Sequence, residues 1–524
     1  MLTPLTTAQQ QWVDTTLDSL TIPECLGQLL CPSSPRSTTE EWLELMQRVP
    51  FGTISLRGAS TAETRERMRR LQAAAKVPIL AGGDMEQGAN TLTDSTEFPR
   101  PMAMGAANDP ELVRVVGQST AAEARYAGMH WTFSPVIDLN YNFRNPITNV
   151  RAFGDKPERV IRMATAMIEG LQGEGLLAAT AKHFPGDGMD DRDQHLVTTI
   201  NNLPMAEWQA TYGKVWRAAI DAGVMCVMPG HISLPAYQGY TDRPVDALPA
   251  TLDSKLLNGL LRDELGFDGL IISDATGMIG MTTRVPTDQR VVECIKAGCD
   301  VYLFPETIDD YARLLGAVEE GRLSEERVRE AARRVLELKA RLNLHVDPFG
   351  PKPSAADAQS YQATAQAIAD KSITLLRGGD VLPLTLAPDS RILTVTIGAN
   401  SQFNRFMPPR ELVIFDEELQ NRGYQVEHLL NPGDDELLAK AGEADVVFMN
   451  LLMLPYMVMG SIDNLVGHLG HWRWRSLFID HPQRLPHRVR QPLRAARAAA
   501  HTQPAGRVQR QPRIAARRSE SMVG

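Results

Sequence analysis

The chain has 524 residues and a formal charge of −9, with 54 basic and 63 acidic side chains. Hydrophobic residues make up 43% and charged residues 22%, which is the composition of an ordinary globular protein. An acidic balance argues against general nucleic-acid binding. The N-terminus lacks the basic and apolar regions of a signal peptide, and no apolar run approaches the length of a membrane span. We therefore expect a cytoplasmic protein with no nucleic-acid or membrane partner.

The five cysteines are too few and too widely spaced for a disulfide framework or a zinc finger. We expect them to be buried free thiols. No segment has HExxH or EF-hand spacing, and we predict neither a metal nor a cofactor.

Short apolar runs alternate with helical patterns as far as about residue 345. The predicted strands are 52–56, 77–82, 131–138, 176–184, 224–231, 269–275 and 299–304. Several of them are rich in β-branched residues, as buried parallel strands are. The segments between them, such as 205–223 and 253–266, place apolar residues on one side of a helix. Repeated strand–helix units predict an α/β fold, either a closed barrel or a doubly wound sheet.

At least five of the predicted strands carry polar side chains at or just after their C-terminal ends. These side chains are Asp84, Asp138 with Asn140, Lys182 with His183, His231, and Asp274. In a barrel the carboxyl ends of all strands meet at one rim, whereas in a doubly wound sheet they are spread along an edge. The number of these polar endings favours a (β/α)8-type TIM barrel over residues 1–345.

The composition changes twice after this barrel. A predicted helix from Ser324 to Leu342 closes the barrel region, and the proline-rich segment 346–360 is typical of a linker. Strand-like runs at 372–376, 391–398 and 445–454 then predict an incomplete α/β sandwich domain over 361–482. The last 42 residues, 483–524, contain ten arginines and one acid, and they predict a disordered basic tail.

The basic tail has two interpretations. The abrupt change of composition near Asp480–Arg484 favours a reading-frame change in the source sequence. The alternative is a genuine tail that binds RNA or an acidic partner.

The densest group of polar residues is the segment AKHFPGDGMDDRDQH, residues 181–195. Asp193 lies two positions before His195, so its carboxylate can orient the imidazole and raise the basicity of the other ring nitrogen. Such a pair suits proton transfer, and Lys182 with His183 suits the binding of sugar hydroxyls. A divalent metal site and a solvated acidic loop are the alternatives for this segment.

Three further residues have one functional and one structural interpretation each. Asp274 is suited to a nucleophile or a base, and equally to capping the next helix. Asp84 follows two glycines and suits either a ligand contact or a turn. Arg151 suits either a ligand contact or an ion pair with a carboxylate.

Five segments together resemble glycoside hydrolase family 3, in its β-N-acetylglucosaminidase branch. They are GGDMEQG, SPVIDLNYNFRNPITNVRAFGD, AKHFPGDGMDDRDQH, MPGHI and FDGLIISDATGM, and they occur over roughly 80–280 in the order found in that family. The resemblance continues into KSITLL and VLPL at 371–384. It implies a (β/α)8-type barrel, a small carbohydrate substrate and retention of the anomeric configuration.

The resemblance also implies a role for each candidate residue. Asp274 corresponds to the nucleophile that forms a covalent glycosyl intermediate, and His195 with Asp193 corresponds to the acid/base dyad. The residues that correspond to binders of the sugar hydroxyls are Asp84, Arg151, Lys182 and His183, and His231 corresponds to a position near the site. The expected reaction is hydrolysis of terminal β-linked N-acetylglucosamine.

Two positions depart from the family pattern. Asp187 stands where histidine is usual, and we expect it to add a negative charge that affects loop closure or phosphate entry. The segment Gln87–Asn90 lacks the arginine that usually follows the Asp-x-Glu motif.

Three alternatives to hydrolysis of an N-acetylglucosaminide remain open. One is phosphorolysis, because a neutral imidazole repels an incoming phosphate less than a carboxylate would. Another is a β-glucosidase of the same family, although such enzymes usually take the acid/base from the second domain. The third is a non-catalytic sugar-binding barrel.

Overall fold

The computed structural model describes residues 2–33, 37–376, 382–398 and 413–452. The predicted tail at 483–524 and the end of the predicted second domain lie outside these residues. Within them the chain forms two compact units that divide between Thr374 and Leu375. In these ranges, no helix combines the length and the apolar character that a membrane crossing requires.

The strands of the first unit are short. They are β1 (Leu30–Cys31), β2 (Thr53–Ser55), β3 (Leu80–Gly83), β4 (Trp131–Thr132), β5 (Thr180–Phe184), β6 (Thr199–Ile200), β7 (Cys226–Pro229), β8 (Ile232–Ser233), β9 (Leu270–Ile271) and β10 (Tyr302–Leu303). Each of the seven runs predicted before residue 305 overlaps one of these strands. β1 was not predicted, because its two residues continue the apolar pattern of the preceding helix.

Eight of these strands are connected in one continuous parallel order. Ladders join β10 to β1, β2 to β3 to β4, and β5 to β7 to β9. Single parallel bridges connect these groups at Ser33–Ser55, Trp131–Ala178 and Ile272–Val301. The order therefore returns to its starting strand, and the carboxyl ends of all eight strands lie on the same side. β6 and β8 form a separate parallel pair.

Helices separate most of the strands. They are α1 (Thr7–Ser19), α2 (Ile22–Gln28), α3 (Thr39–Arg48), α4 (Thr61–Ala74), α5 (Pro101–Ala107), α6 (Pro110–Ala127), α7 (Pro157–Gln172), α8 (Met205–Ala210), α9 (Tyr212–Asp221), α10 (Pro235–Gln238), α11 (Ile279–Thr282), α12 (Arg290–Ala297), α13 (Thr307–Glu319), α14 (Glu325–Arg341) and α15 (Ala355–Ser372). A π-helix covers Lys255–Glu264, and 3-10 turns cover Asn149–Arg151, Gly173–Gly175, Pro244–Asp246 and Ala250–Leu252.

Local sequence explains where several helices begin and end. Ser324 caps α14 by accepting a hydrogen bond from the backbone N–H of Arg327. The helix was predicted over 324–342, and α14 covers nearly the same residues. The predicted helix over 205–223 is interrupted at Thr211, whose φ of −119° and ψ of −91° are not helical. α15 begins inside the segment predicted as a linker, and it belongs to the first unit. The domain boundaries given above, 1–345, 346–360, 361–482 and 483–524, stay predictions.

Aromatic side chains form a large part of the first unit's core. Trp131, Trp208 and Trp216 are almost completely buried. The indole N–H groups of Trp208 and Trp216 both donate to the carbonyl of Pro185, at 3.0 and 3.2 Å. This double contact fixes the chain where it leaves β5. The five cysteines are buried free thiols, as predicted.

The second unit contains a three-stranded parallel sheet in the order β12–β11–β13. Its elements are β11 (Arg391–Gly398), α16 (Val413–Asn421), β12 (Gln425–Leu430), α17 (Asp434–Glu443) and β13 (Val446–Leu452). Leu393, Val395 and Leu437 lie at the centre of its small core. The predicted strand at 372–376 is wrong, since α15 ends at Ser372 and residues 373–376 pair with no strand. An apolar β-branched run forms a strand only where a neighbouring strand accepts its hydrogen bonds.

Candidate active site

A cavity of about 410 Å³ lies at the carboxyl ends of the eight strands. Six of the predicted site residues line it: Asp84, Arg151, Lys182, His183, His195 and Asp274. The other two, Asp193 and His231, lie directly behind lining residues to which they bind. The structure therefore brings together all eight residues that the sequence singled out.

One side of the cavity is built from carboxylates and cations. The Nζ atom of Lys182 lies 2.9 Å from Oε1 of Glu86 and 3.4 Å from Oδ1 of Asp84. Arg151 makes a two-point contact with Glu86, with Nη2–Oε1 at 2.6 Å and Nε–Oε2 at 2.9 Å. The Lys182 side chain is buried, whereas 48% of the Asp84 side chain is exposed to the cavity and solvent. Asp84 therefore keeps acceptor capacity for the hydroxyls of a ligand.

Glu86 connects the two cations electrostatically. Burial alone would raise the pKa of the Glu86 carboxyl, but the charges of Arg151 and Lys182 outweigh burial and hold the pKa well below its usual range. Burial works against the charge of Arg151 as well, and Glu86 compensates by raising the pKa of that guanidinium. Glu86 and Arg151 are therefore both charged at neutral pH.

His183 lies between two carboxylates. Its Nδ1 atom is 2.7 Å from Oδ2 of Asp138, and its Nε2 atom is 3.9 Å from Oδ2 of Asp274. The other oxygen of Asp138 accepts the backbone N–H groups of His183 and Asp187. Asp138 therefore fixes the orientation of the imidazole and presents Nε2 toward Asp274.

Asp274 is ionised at neutral pH although it is buried. Burial would raise its pKa, but the imidazoles of His183 and His231 and the N–H of Ala275 lower it below its usual range. The Ala275 N–H donates to Oδ1 at 2.7 Å, which leaves the other oxygen beside His183. A charged carboxylate at the wall of a cavity is what nucleophilic attack requires.

A second candidate group is the hydrogen-bonded pair Asp193–His195. Oδ1 of Asp193 accepts two hydrogen bonds from His195, one from the ring Nδ1 at 2.7 Å and one from the backbone N–H at 2.8 Å. Asp193 is buried, whereas His195 is partly exposed and lines the cavity. Nδ1 of His195 therefore carries a proton and donates it in the hydrogen bond to Asp193. Nε2 faces the cavity, where it can exchange a proton with a ligand.

His231 supports the turn that carries Asp274. Its Nε2 atom lies 2.9 Å from the carbonyl of Ala275, and its Nδ1 atom lies 2.9 Å from Oγ1 of Thr251. Burial lowers the pKa of His231, so the neutral ring donates from Nε2 and accepts at Nδ1. His231 thus acts on the backbone beside Asp274 and has no place in the cavity wall.

The sequence predicted an added negative charge at Asp187, and the surroundings of this side chain contradict that prediction. The side chain is 2% exposed, and burial together with the nearby Asp138 raises the pKa of Asp187 well above its usual range. Oδ1 accepts hydrogen bonds from Asn145 and from the Gly188 N–H, while Oδ2 has no partner in the described structure. Asp187 therefore holds a proton more readily than an ordinary aspartate does.

Three residues of the site were given no role by the sequence analysis. Glu86 and Asp138 hold Arg151, Lys182 and His183 in place, and Arg57 lines the cavity while its Nη2 lies 3.3 Å from Oδ2 of Asp84. The sequence placed Asp138 at the end of a predicted apolar strand and Glu86 in the Asp-x-Glu motif of GGDMEQG. Their partners are distant in sequence, so spacing alone could not reveal the contacts.

The metal interpretation of the loop finds no support in its contacts. Asp190 forms an ion pair with Arg192, and Asp187 binds Asn145. In the part of the chain that the structure describes, no group of three or more His, Cys, Asp or Glu is arranged to hold a metal ion.

Comparison with known proteins agrees with this geometry. Residues 21–338 match the model of the glycosyl hydrolase family 3 N-terminal domain. The chain is 41% identical over 393 residues to a beta-N-acetylglucosaminidase/beta-glucosidase of Cellulomonas fimi, covering 73% of this chain and 69% of that protein. It is 32% identical over 290 residues to a beta-hexosaminidase of Vibrio cholerae, covering 53% of this chain and 82% of that protein.

Solved structures show the same relationship. A beta-glucoside phosphorylase bound to 2FGlc superposes with a TM-score of 0.79 and 32% identity, covering 87% of this chain and 85% of that one. A family 3 beta-N-acetylglucosaminidase from Paenibacillus sp. superposes with a TM-score of 0.73 and 29% identity, covering 82% and 84%. The family match covers more than half of the sequence. The chain has a mixed α/β fold, belongs to glycoside hydrolase family 3 and is a glycosidase.

Proposed function

We propose that this glycosidase removes terminal β-linked N-acetylglucosamine with retention of configuration, within a (β/α)8-type barrel. One observation carries the proposal: a buried, ionised Asp274 and the Asp193–His195 pair border the same cavity. The closed order of eight parallel strands supports the barrel, because it places all the polar strand endings at one rim.

In the first step Asp274 attacks the anomeric carbon and the glycosidic bond breaks. His195, protonated on Nε2, transfers that proton to the departing oxygen. Asp193 accepts a hydrogen bond from Nδ1–H of His195 throughout, and it stabilises the imidazolium before the transfer. The products of this step are the free aglycone alcohol and an α-linked glycosyl ester on Asp274.

In the second step the neutral imidazole of His195 removes a proton from an incoming water. The water oxygen bonds to the anomeric carbon, and the ester bond to Asp274 breaks. Two inversions give overall retention. Asp84, Arg151, Lys182 and His183 supply donors and acceptors for the sugar hydroxyls during both steps.

Phosphate is a second candidate for the incoming nucleophile, and two features favour it. The acid/base is a histidine, which is neutral when the second nucleophile arrives and so does not repel an anion. The cavity also contains Arg57, whose side chain is 44% exposed. The similar beta-glucoside phosphorylase makes this reaction a reasonable one for the same fold.

An activity panel tests both proposals and the β-glucosidase alternative. Aryl β-N-acetylglucosaminide and aryl β-glucoside are compared in phosphate and in a phosphate-free buffer, and the sugar product is identified by NMR. We expect turnover of the N-acetylglucosaminide with β-configured first product. Sugar 1-phosphate in phosphate buffer would establish phosphorolysis, whereas identical rates and products in both buffers would exclude it. Sugar binding without any turnover would overturn the catalytic proposal.

A further inference from the structure

The loop 186–198, which carries Asp193 and His195 and is called the dyad loop below, lies against α11. This helix begins five residues after Asp274. The backbone N–H of Ile279 donates to the carbonyl of His195 at 3.0 Å, and that of Gly280 donates to the carbonyl of Gln194 at 3.2 Å. The element that follows the nucleophile therefore binds the backbone of the acid/base directly.

Gly280 allows this close approach because it has no side chain. A Cβ atom there would lie 2.5 Å from the carbonyl oxygen of Gln194, 2.9 Å from that of Val197 and 3.0 Å from Cβ of His231. Two of these neighbours are backbone atoms of the dyad loop, which cannot rotate away. To restore an ordinary contact, the loop would have to move by roughly 1 Å.

Two side chains of the dyad loop reinforce the contact. Oε1 of Gln194 accepts the backbone N–H of His231 at 3.0 Å, and Oγ1 of Thr198 donates to the carbonyl of Gly280 at 2.6 Å. Gln194 and Thr198 are both buried. The loop is thus fixed on α11 through Gly280 and, at a second point, on His231 just after β7.

We propose that Gly280, Gln194 and Thr198 are positioning residues that set the distance between the acid/base His195 and the nucleophile Asp274. None of the three transfers a proton, and they act by docking the dyad loop on α11. The inference rests on the proposed function, since it needs His195 to act as the proton donor.

The test compares Gly280→Ala with Gly277→Ala. Gly277 lies in the same turn after Asp274, but a Cβ there meets no atom within 4 Å. Thr198→Val, which removes one hydrogen bond and keeps the shape, is a milder second variant in case Gly280→Ala fails to fold. For each full-length variant, kcat/KM is measured on aryl N-acetylglucosaminides with a good leaving group, 2,4-dinitrophenolate, and a poor one, phenolate.

We expect Gly280→Ala to lower kcat/KM roughly 10²-fold for the phenyl substrate, the loss typical of a 1 Å misplacement. The dinitrophenyl substrate needs no protonation and should change little, as should both substrates with Gly277→Ala. Thr198→Val should show the same pattern to a smaller degree. Equal losses on both substrates, or no loss, would overturn the inference.

His195→Gln separates this inference from the proposed function. If His195→Gln loses the phenyl substrate selectively and Gly280→Ala does not, only the positioning role is wrong. If His195→Gln shows no dependence on the leaving group, the assignment of His195 as the acid is wrong.

Discussion

The buried carboxylate of Glu86 is expected to be essential for both stability and catalysis. Glu86→Gln keeps the shape of the side chain but removes the charge that Arg151 and Lys182 share. Lys182 is 3% exposed, so its ammonium would remain buried with Asp84 at 3.4 Å as its remaining carboxylate contact. Removing one partner of a buried ion pair costs about 3–5 kcal/mol.

The cost can be converted into a melting temperature. An unfolding entropy of about 2.1 cal/mol/K per residue, applied to a unit of the size of Met1–Thr374, turns 3–5 kcal/mol into a fall of about 4–6 °C. The effect depends on pH in a defined direction. Since the folded pKa of Glu86 is depressed, its contribution is present above the unfolded value near 4.3 and is lost as the pH falls toward the folded value.

The assay is thermal unfolding at pH 7 and at about pH 3, which lies below the unfolded pKa of a glutamate, together with kcat/KM at pH 7. Glu40→Gln is the matched control, because Glu40 pairs with Arg70 at an exposed position. We expect Glu86→Gln to melt lower at pH 7, to approach the wild type as the pH falls, and to lose activity, whereas Glu40→Gln changes neither. A Glu86→Gln protein with wild-type melting temperature and activity would refute this reasoning.

Three further predictions concern other buried groups. Asp187→Asn should raise the melting temperature at pH 7, because the raised folded pKa of Asp187 beside Asp138 costs stability once the pH exceeds the unfolded value; a lower melting temperature would contradict this. Lys339, whose pKa burial lowers to about 7, should make stability rise by on the order of 4 kcal/mol between pH 7 and pH 10. Lys339→Met should remove that rise, and an unchanged slope would refute the assignment. Asp274→Ala should be inactive, and azide should restore turnover with formation of the α-glycosyl azide; a β-azide would exclude a direct nucleophilic role.

The positions of the candidate residues were largely predictable, because parallel strands end at a common rim. Lys182, His183 and Asp274 follow apolar runs, and this local signal is strong. Glu86 and Asp138 also lie near the ends of predicted strands, but the sequence does not indicate which residues they bind. Glu86 binds Arg151 across 65 residues of sequence, a pairing that only the tertiary fold creates.

Other features depended on surroundings that a sequence does not display. The ionisation of Asp187 is set by its burial beside Asp138, which composition cannot reveal. The strand β12 was missed because its residues alternate between exposed and half-buried positions and lack a continuous apolar run. The segment 373–376 was predicted as a strand on its residue types alone, and in the structure no neighbouring strand pairs with it.

The most direct test of the mechanism is to trap the glycosyl intermediate. The protein is incubated with a 5-fluoro N-acetylglucosaminyl fluoride, which slows the second step, and its peptides are analysed by mass spectrometry. We predict the mass increase of one fluorinated sugar on the peptide that contains Asp274, and no increase in Asp274→Asn. An adduct on another residue, or turnover without any adduct, would contradict the assignment of Asp274 as the nucleophile.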